Sequence, residues 1–237
     1  MAAITQSANV IVDDFIAPVC HEHIKIIYQD DDILLINKPS GLLSLSGKNP
    51  LNWDSVHYRL VNGQQGVTAA FPTAILPHRL DLGTSGVMVV ALNEQAAKAL
   101  NQQFQSRSVK KQYRAMLFGL VAEPQGEITA PIAKDKMLFP KVKICHQSGK
   151  PSRTQFKVVK RFNKEQKTLV DFTPITGRTH QLRIHSLIFG HPILGCDLYK
   201  NDCSDLGAQR LLLHASDLFF VHPCTDKPMH GHATTPF

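Results

Sequence analysis

The chain has 237 residues, 43% of them hydrophobic and 19% charged, with five cysteines and a net charge of +7. That length supports one sizeable core, or one core with a small appendage, and the composition is that of a soluble globular enzyme. Cys20, Cys145, Cys196, Cys203 and Cys224 form an odd set without a Cys-x-x-Cys pair, which argues against a disulfide framework or a zinc knuckle and fits a reducing cytoplasm.

Met1 to Glu22 mixes Asp13, Asp14 and Pro18 into its apolar residues. It has neither the charged start nor the continuous apolar centre of a signal peptide, and no segment of the chain is long enough to span a membrane. Residues 1–23 read as a poorly ordered extension ahead of one domain at 24–237. Ile24–Tyr28 and Ile33–Asn37 predict two short strands joined by a hairpin turn at Asp30-Asp31-Asp32. A helix is expected over Leu51–Leu60, followed by loop around Gly63 to Thr73. Asn93 is an N-cap for a helix from Glu94 to about Arg107, with Ala96, Ala97, Leu100 and Phe104 on one face.

Strict alternation over Lys111–Val121 predicts a strand with Tyr113, Ala115 and Leu117 on one side. Thr154–Phe162, Leu169–Thr173 and Leu211–Val221 are further strands. A last helix runs from Thr179 to Gly190, where Pro192 bars continuation. Strands outnumber helices and no regular β-α-β rhythm is present. The expected fold is an α+β domain on a mixed, mostly antiparallel sheet flanked by helices.

Charge is unevenly placed. Between Lys134 and Lys167, nine Lys and two Arg face Asp135 and Glu165, a local net of +9, whereas the remaining 15 bases and 17 acids sum to −2. A basic block on a near-neutral body is the footprint of a polyanion binder, although a solvated lysine-rich surface has the same composition. Pro140, Gly149 and Pro151 interrupt the block, so it reads as partly loop, free to drape over phosphates.

The most informative stretch is His78-Arg79-Leu80-Asp81-Leu82-Gly83-Thr84-Ser85-Gly86, followed by the apolar run Val87–Leu92. It places a carboxylate two residues after a guanidinium, on a turn-forming loop entering a buried strand. An acid there is held rigidly, as catalytic groups on loops tend to be. A lone Asp beside Gly would more simply bond its own turn.

The letters around Asp81 change that balance. His-Arg-Leu-Asp-x-x-Thr-Ser-Gly resembles the signature of the pseudouridine synthases related to ribosomal large subunit pseudouridine synthase A. Ile36-Asn37-Lys38-Pro39-Ser40-Gly41-Leu42 is similar to that family's early Asn-Lys-Pro-x-Gly segment, and Lys110-Lys111-Gln112-Tyr113 to its Lys-x-Tyr segment. Gly177-Arg178-Thr179-His180-Gln181-Leu182-Arg183 matches its Gly-Arg-x-His-Gln-Leu-Arg helix, and Leu211–Ala215 a late strand. Motifs in the family's order from about Ile24 to Val221 make this a specific signal.

The resemblance implies an RNA pseudouridine synthase without cofactor or metal, an isomerase using Asp81 as its carboxylate. Tyr113 is implied to stack on the extruded base, and Arg183 to be the countercharge that keeps Asp81 ionised in a closed pocket. Uridine in structured RNA must be flipped out, and Arg79 is placed to wedge into the vacated stack. Lys38, His78, Lys111, Lys150 and Arg178 are assigned to RNA contacts. Arg178 precedes Arg183 by five residues, so on a helix the two would point apart.

With too few residues before the first strand for an accessory RNA-binding module, the chain looks most like the A-type enzyme. That implies a monomer acting in the cytoplasm on a large-subunit rRNA stem-loop, the tRNA anticodon stem-loop, or both. Two other classes stay open: a non-catalytic RNA chaperone on the same fold, and a nucleoside or glycoside hydrolase, for which no second carboxylate motif is found. His78, His180, His185 and His191, and His222, Cys224, His230 and His232 near the C-terminus, raise a metal alternative. Only His230-Gly231-His232 has tight spacing, and it reads as a solvated, Pro-bounded tail after a last strand left in doubt by the divergent ending.

Overall fold

Strands such as Arg153–Phe162 and Lys167–Pro174 alternate apolar and polar residues because one face of each is buried, whereas continuous apolar runs mark strands covered on both faces. The structure, a computed structural model, describes residues 15–47, 49–64, 66–138, 140–201 and 208–237. Strand β1 (Lys25–Gln29) and β2 (Ile33–Lys38) form the expected hairpin, closed by Asp30, whose Oδ1 accepts from the amides of Asp32 and Ile33 at 2.9 and 2.8 Å. Strand β3 (Ser85–Ala91) is buried along its whole length beside β2. Helix α2 (Glu94–Ser106) is capped by Asn93, whose Oδ1 accepts from Ala96 N at 2.9 Å, and lays Ala96, Ala97 and Leu100 on the core.

Beyond these lie β4 (Lys110–Phe118), β5 (Gln125–Thr129), β6 (Ile132–Lys134), β7 (Val142–Ile144), β8 (Arg153–Phe162) and β9 (Lys167–Pro174). Helix α3 (Gln181–Ile188), β10 (Leu213–Val221) and β11 (Pro228–His232) complete the chain. The main sheet has nine strands in the order β1-β2-β3-β10-β4-β9-β8-β5, with β11 on the other end of β10, and β6-β7 make a separate pair. All main-sheet pairs are antiparallel except β3 with β10, so the sheet is mixed and mostly antiparallel, as expected. No helix among the described residues is long and apolar enough to cross a membrane.

The β3–β10 pair joins two cores. One packs β2, β3, α2 and the short helix α1 (Val56–Asn62); the other packs β4, β9 and α3, and Tyr113 touches both. Gly86 permits the junction: its φ is +124°, and a Cβ there would lie 2.2 Å from Ala215 O.

Several sequence expectations are corrected. The helix expected over Leu51–Leu60 divides into a 3-10 turn at Pro50–Asn52 and α1, because the Ser55 hydroxyl caps a new start by accepting from Tyr58 N at 3.1 Å. The basic block is partly loop, as expected: strand β7, strand β8 and the start of β9 alternate with loop segments among the described residues of 135–141, 145–152 and 163–166. The C-terminal residues expected to be a solvated tail form β11, paired in register with β10. Residues 1–14 lie outside the described residues. Residues 15–23 have no regular secondary structure, yet they are tied down: Arg59 donates to the carbonyls of Cys20 and Glu22, and Asn52 to that of Phe15.

Candidate active site

Asp81 is presented by a turn in which Thr84 N donates to Asp81 O at 3.1 Å, immediately before β3. The Lys38–Ser44 segment grips that turn from behind. Lys38 Nζ donates to the carbonyls of Pro39, Leu42 and Leu82 at 2.8, 2.6 and 3.2 Å. Ser40 Oγ donates to Gly83 O at 2.7 Å, Gly41 N to Leu82 O at 2.9 Å, and Ser44 Oγ to Leu80 O at 2.7 Å. Five bonds to Leu80, Leu82 and Gly83 bracket the acid on both sides, counting the return bond from Leu80 N to Ser44 Oγ.

This geometry overturns one assignment. Lys38 is wholly buried, its three donors are spent on carbonyls, and burial pushes its ammonium down to about 7. It cannot reach RNA; it holds the Asp81 loop.

In front of the loop opens a cleft of about 460 Å³ whose wall includes Arg79, Asp81, Lys111, Tyr113, Arg178 and Arg183. The Asp81 side chain is 25% exposed, with His180 Nε2 4.0 Å from its Oδ1. Tyr113 rises from β4 into the same space. Burial, and then the Asp81 charge, push its phenol well above the usual tyrosine range, so the ring meets substrate as a neutral phenol. Lys111, on the same face, is also pushed down by burial. Arg79 stands exposed at the rim.

His78 belongs to this wall, but not as a cation. Its Nε2 accepts from Val89 N at 3.1 Å and its ring stacks on Phe104 at 4.5 Å. Burial, and then Lys111, push it down to about 3, so the ring is neutral and braces α2 against the loop; the RNA-contact assignment is corrected accordingly. Arg178 also departs from its expected place. Helix α3 starts at Gln181, after Arg178, so helical spacing does not separate the two arginines and both face the cleft. Lys150 is exposed, its backbone paired with Ile132, and it is not part of the cleft wall.

Arg183 is 5% exposed and its closest acid is not Asp81. Its Nη2 bonds Asp197, its Nε donates to Cys196 Sγ at 3.3 Å, and its guanidinium lies 5.4 Å over the Tyr199 ring. Asp81 acts on it through space as one of several charges that hold it protonated. The expected direct pair is therefore a shared field, with Asp197 as the contact partner.

His180, which the sequence offered only as a metal ligand, comes within 4.0 Å of the acid. Its backbone is left-handed at φ 53°, which turns the ring back toward Asp81 instead of along α3. Tyr199 Oη accepts from Val142 N at 2.7 Å, so its hydroxyl proton is free to donate to His180 Nδ1, 3.0 Å away. Nδ1 then accepts, and the remaining proton sits on Nε2, facing Asp81. Burial pushes this imidazole down, keeping it neutral, against the opposing pull of Asp81. Gln181 anchors the helix start: its Oε1 accepts from Thr176 Oγ1 and Arg178 N, and its Nε2 donates to Arg153 O. His185 and His191 bond Ser152 and Phe118 and do not converge with His78 or His180 on a metal position.

The cleft thus offers a fixed carboxylate, a neutral imidazole donor, an aromatic wall and cations at the rim. The family model described as RNA pseudouridylate synthase matches residues 32–187. The dual-specificity RNA pseudouridine synthase RluA of Yersinia pestis is 45% identical over 205 residues, covering 86% of this chain and 96% of that protein. The protein of the same name from Escherichia coli K12 is 42% identical over 212 residues, covering 90% and 93%. Among solved structures, human RNA pseudouridylate synthase domain containing 1 superposes with a TM-score of 0.73 at 28% identity, covering 93% of this chain and 86% of that one.

Proposed function

This chain belongs to the RNA pseudouridylate synthase family and is an RNA-modifying isomerase, and we propose that it converts specific uridines to pseudouridine in a large-subunit rRNA stem-loop and in the tRNA anticodon stem-loop. The dual-specificity name of its relatives supports two substrates, and the basic strand β8, paired with β9, whose last residue lines the cleft, suits a folded polyanion. We assign the catalytic domain to residues 24–237, acting as a monomer in the cytoplasm.

The reaction breaks the bond between ribose C1′ and uracil N1, turns the base and joins C1′ to C5. The proton released from C5 balances the one gained at N1, so no redox partner or phosphate donor enters. Asp81 supplies the carboxylate, as nucleophile or base. The target nucleotide is flipped into the cleft, its base stacked on Tyr113, while Arg79 fills the gap left in the RNA. Arg183 and neutral His180 supply positive potential and a donor where charge moves, and Lys111 and Arg178 meet phosphate. The observation that carries this reading is the convergence of Arg79, Asp81, Tyr113, Arg178, His180 and Arg183 on one cleft.

Incubation with each stem-loop, followed by nucleoside analysis, tests it. Pseudouridine is expected; unchanged uridine would leave an RNA-binding protein, and free uracil would identify a hydrolase. Short hairpins should react within about tenfold of full-length RNA, a barrier difference of ~1.4 kcal/mol. Binding should weaken with salt as phosphate counterions are released. If hairpins are inert and only an assembled ribosomal particle is modified, the stem-loop specificity is wrong even though the chemistry stands.

A further inference from the structure

His230-Gly231-His232 finds no use in the cleft. Strand β11 pairs with β10 so that Asp217 lies opposite His232 and Phe219 opposite His230. A side chain on Gly231 would meet Val87 Cγ2 at 2.9 Å and Leu35 Cδ2 at 3.2 Å, so that residue points into the core. Alternation then turns both histidines outward onto one face, where they are 49% and 56% exposed.

His230 Nε2 and His232 Nδ1 lie 2.8 and 2.9 Å from the same oxygen, Asp217 Oδ1. We propose that Asp217, His230 and His232 form a binding site for a divalent transition-metal ion of the zinc class, separate from the catalytic cleft. Two imidazoles and one carboxylate are a zinc donor set, leaving the fourth position to water.

Three features favour a cation there. The His230 ring is held by stacking on Phe219 at 4.3 Å and 8°, so one ligand is already oriented. His230 Nδ1 and His232 Nε2 make no hydrogen bond among the described residues, so each ring can shift its proton outward and present a lone pair. The nearby Arg114 makes its bonds to Asp171, at 2.8 and 3.0 Å, and acts on Asp217 only through space, so no side-chain cation occupies the Asp217 oxygen that the two histidines share. Bonds of ~2.0–2.2 Å to the metal require the two imidazole nitrogens, now 2.8 and 2.9 Å from Asp217 Oδ1, to move away from it by well under ~1 Å, within reach of exposed rings.

The second group at ligand distance, Asp30, Asp32 and His222, behaves differently. His222 Nδ1 accepts from the amides of Cys224 and Thr225, which fixes the proton on Nε2, where it is donated to Asp30. Asp30 is further occupied by Tyr28 and two amides, so a metal would have to dismantle a satisfied network.

The proposed site is on the face away from the cleft. Asp217 pairs with Gln112, on the same side of β4 as Arg114 and opposite Tyr113. Its occupant should therefore fasten β11 to β10 without entering the isomerisation.

The test is calorimetric titration of untagged protein with zinc chloride, alongside the double variant H230Q/H232Q. One zinc per wild-type chain is expected, with affinity at least about tenfold weaker in the double variant. With free zinc a hundredfold above Kd, the wild-type melting temperature should rise by roughly 5–10 °C and the variant's should not. Pseudouridine formation should be equal in both. Absence of zinc binding, or equal binding by the variant, overturns the proposal. So does a cobalt-loaded wild type showing a thiolate charge-transfer band, which would put the metal at a cysteine and not at Asp217, His230 and His232.

Discussion

The two walls of the cleft are built from different materials. On the β3 side, Asp81 sits on a loop whose neighbours are bonded through backbone carbonyls to Lys38, Ser40 and Ser44. On the α3 side, His180 and Arg183 are held mainly by side chains, through Tyr199, Cys196 and Asp197. One wall fixes where the acid is; the other sets the field around it. Substitutions should separate these functions, because the two walls belong to different hydrophobic cores that meet at the β3–β10 seam and at Tyr113.

The largest effect should come from the acid itself. D81N is nearly isosteric and removes only charge and basicity, so conversion should fall by at least ~10³-fold while melting temperature and RNA affinity hold. Nucleoside analysis after long incubation measures this directly. Residual turnover at a modest fraction of wild type would remove Asp81 from its role.

K38M should strike placement. It leaves the carbonyls of Pro39, Leu42 and Leu82 without their shared donor, at a cost of about 3 kcal/mol of stability. Chemical denaturation checks the loss, and residual activity per folded molecule should fall as well. A fully stable, fully active K38M protein would show that the loop needs no such brace.

R183M should strike the field, costing ~10²-fold in rate, or ~2.7 kcal/mol. Asp197 is 72% exposed and stays hydrated when its partner is lost, whereas Asp81 loses a buried cation that acts on it through space. D197N should remain within about threefold of wild type, because Arg183 is then free to serve Asp81 alone. Equal losses in the two variants would mean that the Arg183–Asp197 pair is the working unit.

The same division explains what could be read from residues alone. The strands, the Asn93 cap and the mixed sheet follow from period-2 alternation and turn chemistry, both local properties. The Asp81 loop was legible because a carboxylate, small residues and a buried strand lie adjacent in sequence. Lys38 was misread because its burial depends on Leu82, forty-four residues away, and a lysine between a strand and a proline looks solvated. His180 was passed over as anything but a metal ligand because its aim depends on a left-handed backbone at a non-glycine residue. Its partner Tyr199 lies nineteen residues on, with no local mark of the contact. The sequence could place both arginines in one motif, but not show that the helix begins after Arg178.

An effect smaller than that of R183M should come from Y199F, which tests the His180 link. Without the hydroxyl, Val142 N loses its acceptor and His180 Nδ1 its donor, so nothing assigns the imidazole proton to Nε2. A drop in kcat of about tenfold, ~1.4 kcal/mol, is expected, with KM little changed, since no RNA contact is lost. The pH dependence gives a second reading. A donor to Nδ1 favours the neutral ring, so its removal should let His180 protonate more readily and move the acid limb of the kcat profile to higher pH. Stability should respond with the corresponding sign. His78, His180, His185 and His214 are all pushed below 6.5 in the folded chain, first by burial, so unfolding takes up protons as pH falls below that value. Melting temperature should therefore decline from about pH 6.5 downward, before Asp30 and Asp217, held below 3.8, begin to titrate. In Y199F the decline should be shallower, because one of the four depressed histidines has moved back toward its unfolded value. An unshifted acid limb together with an unchanged melting slope would show that Tyr199 merely packs beside His180, leaving the α3 wall to act on Asp81 through Arg183 alone.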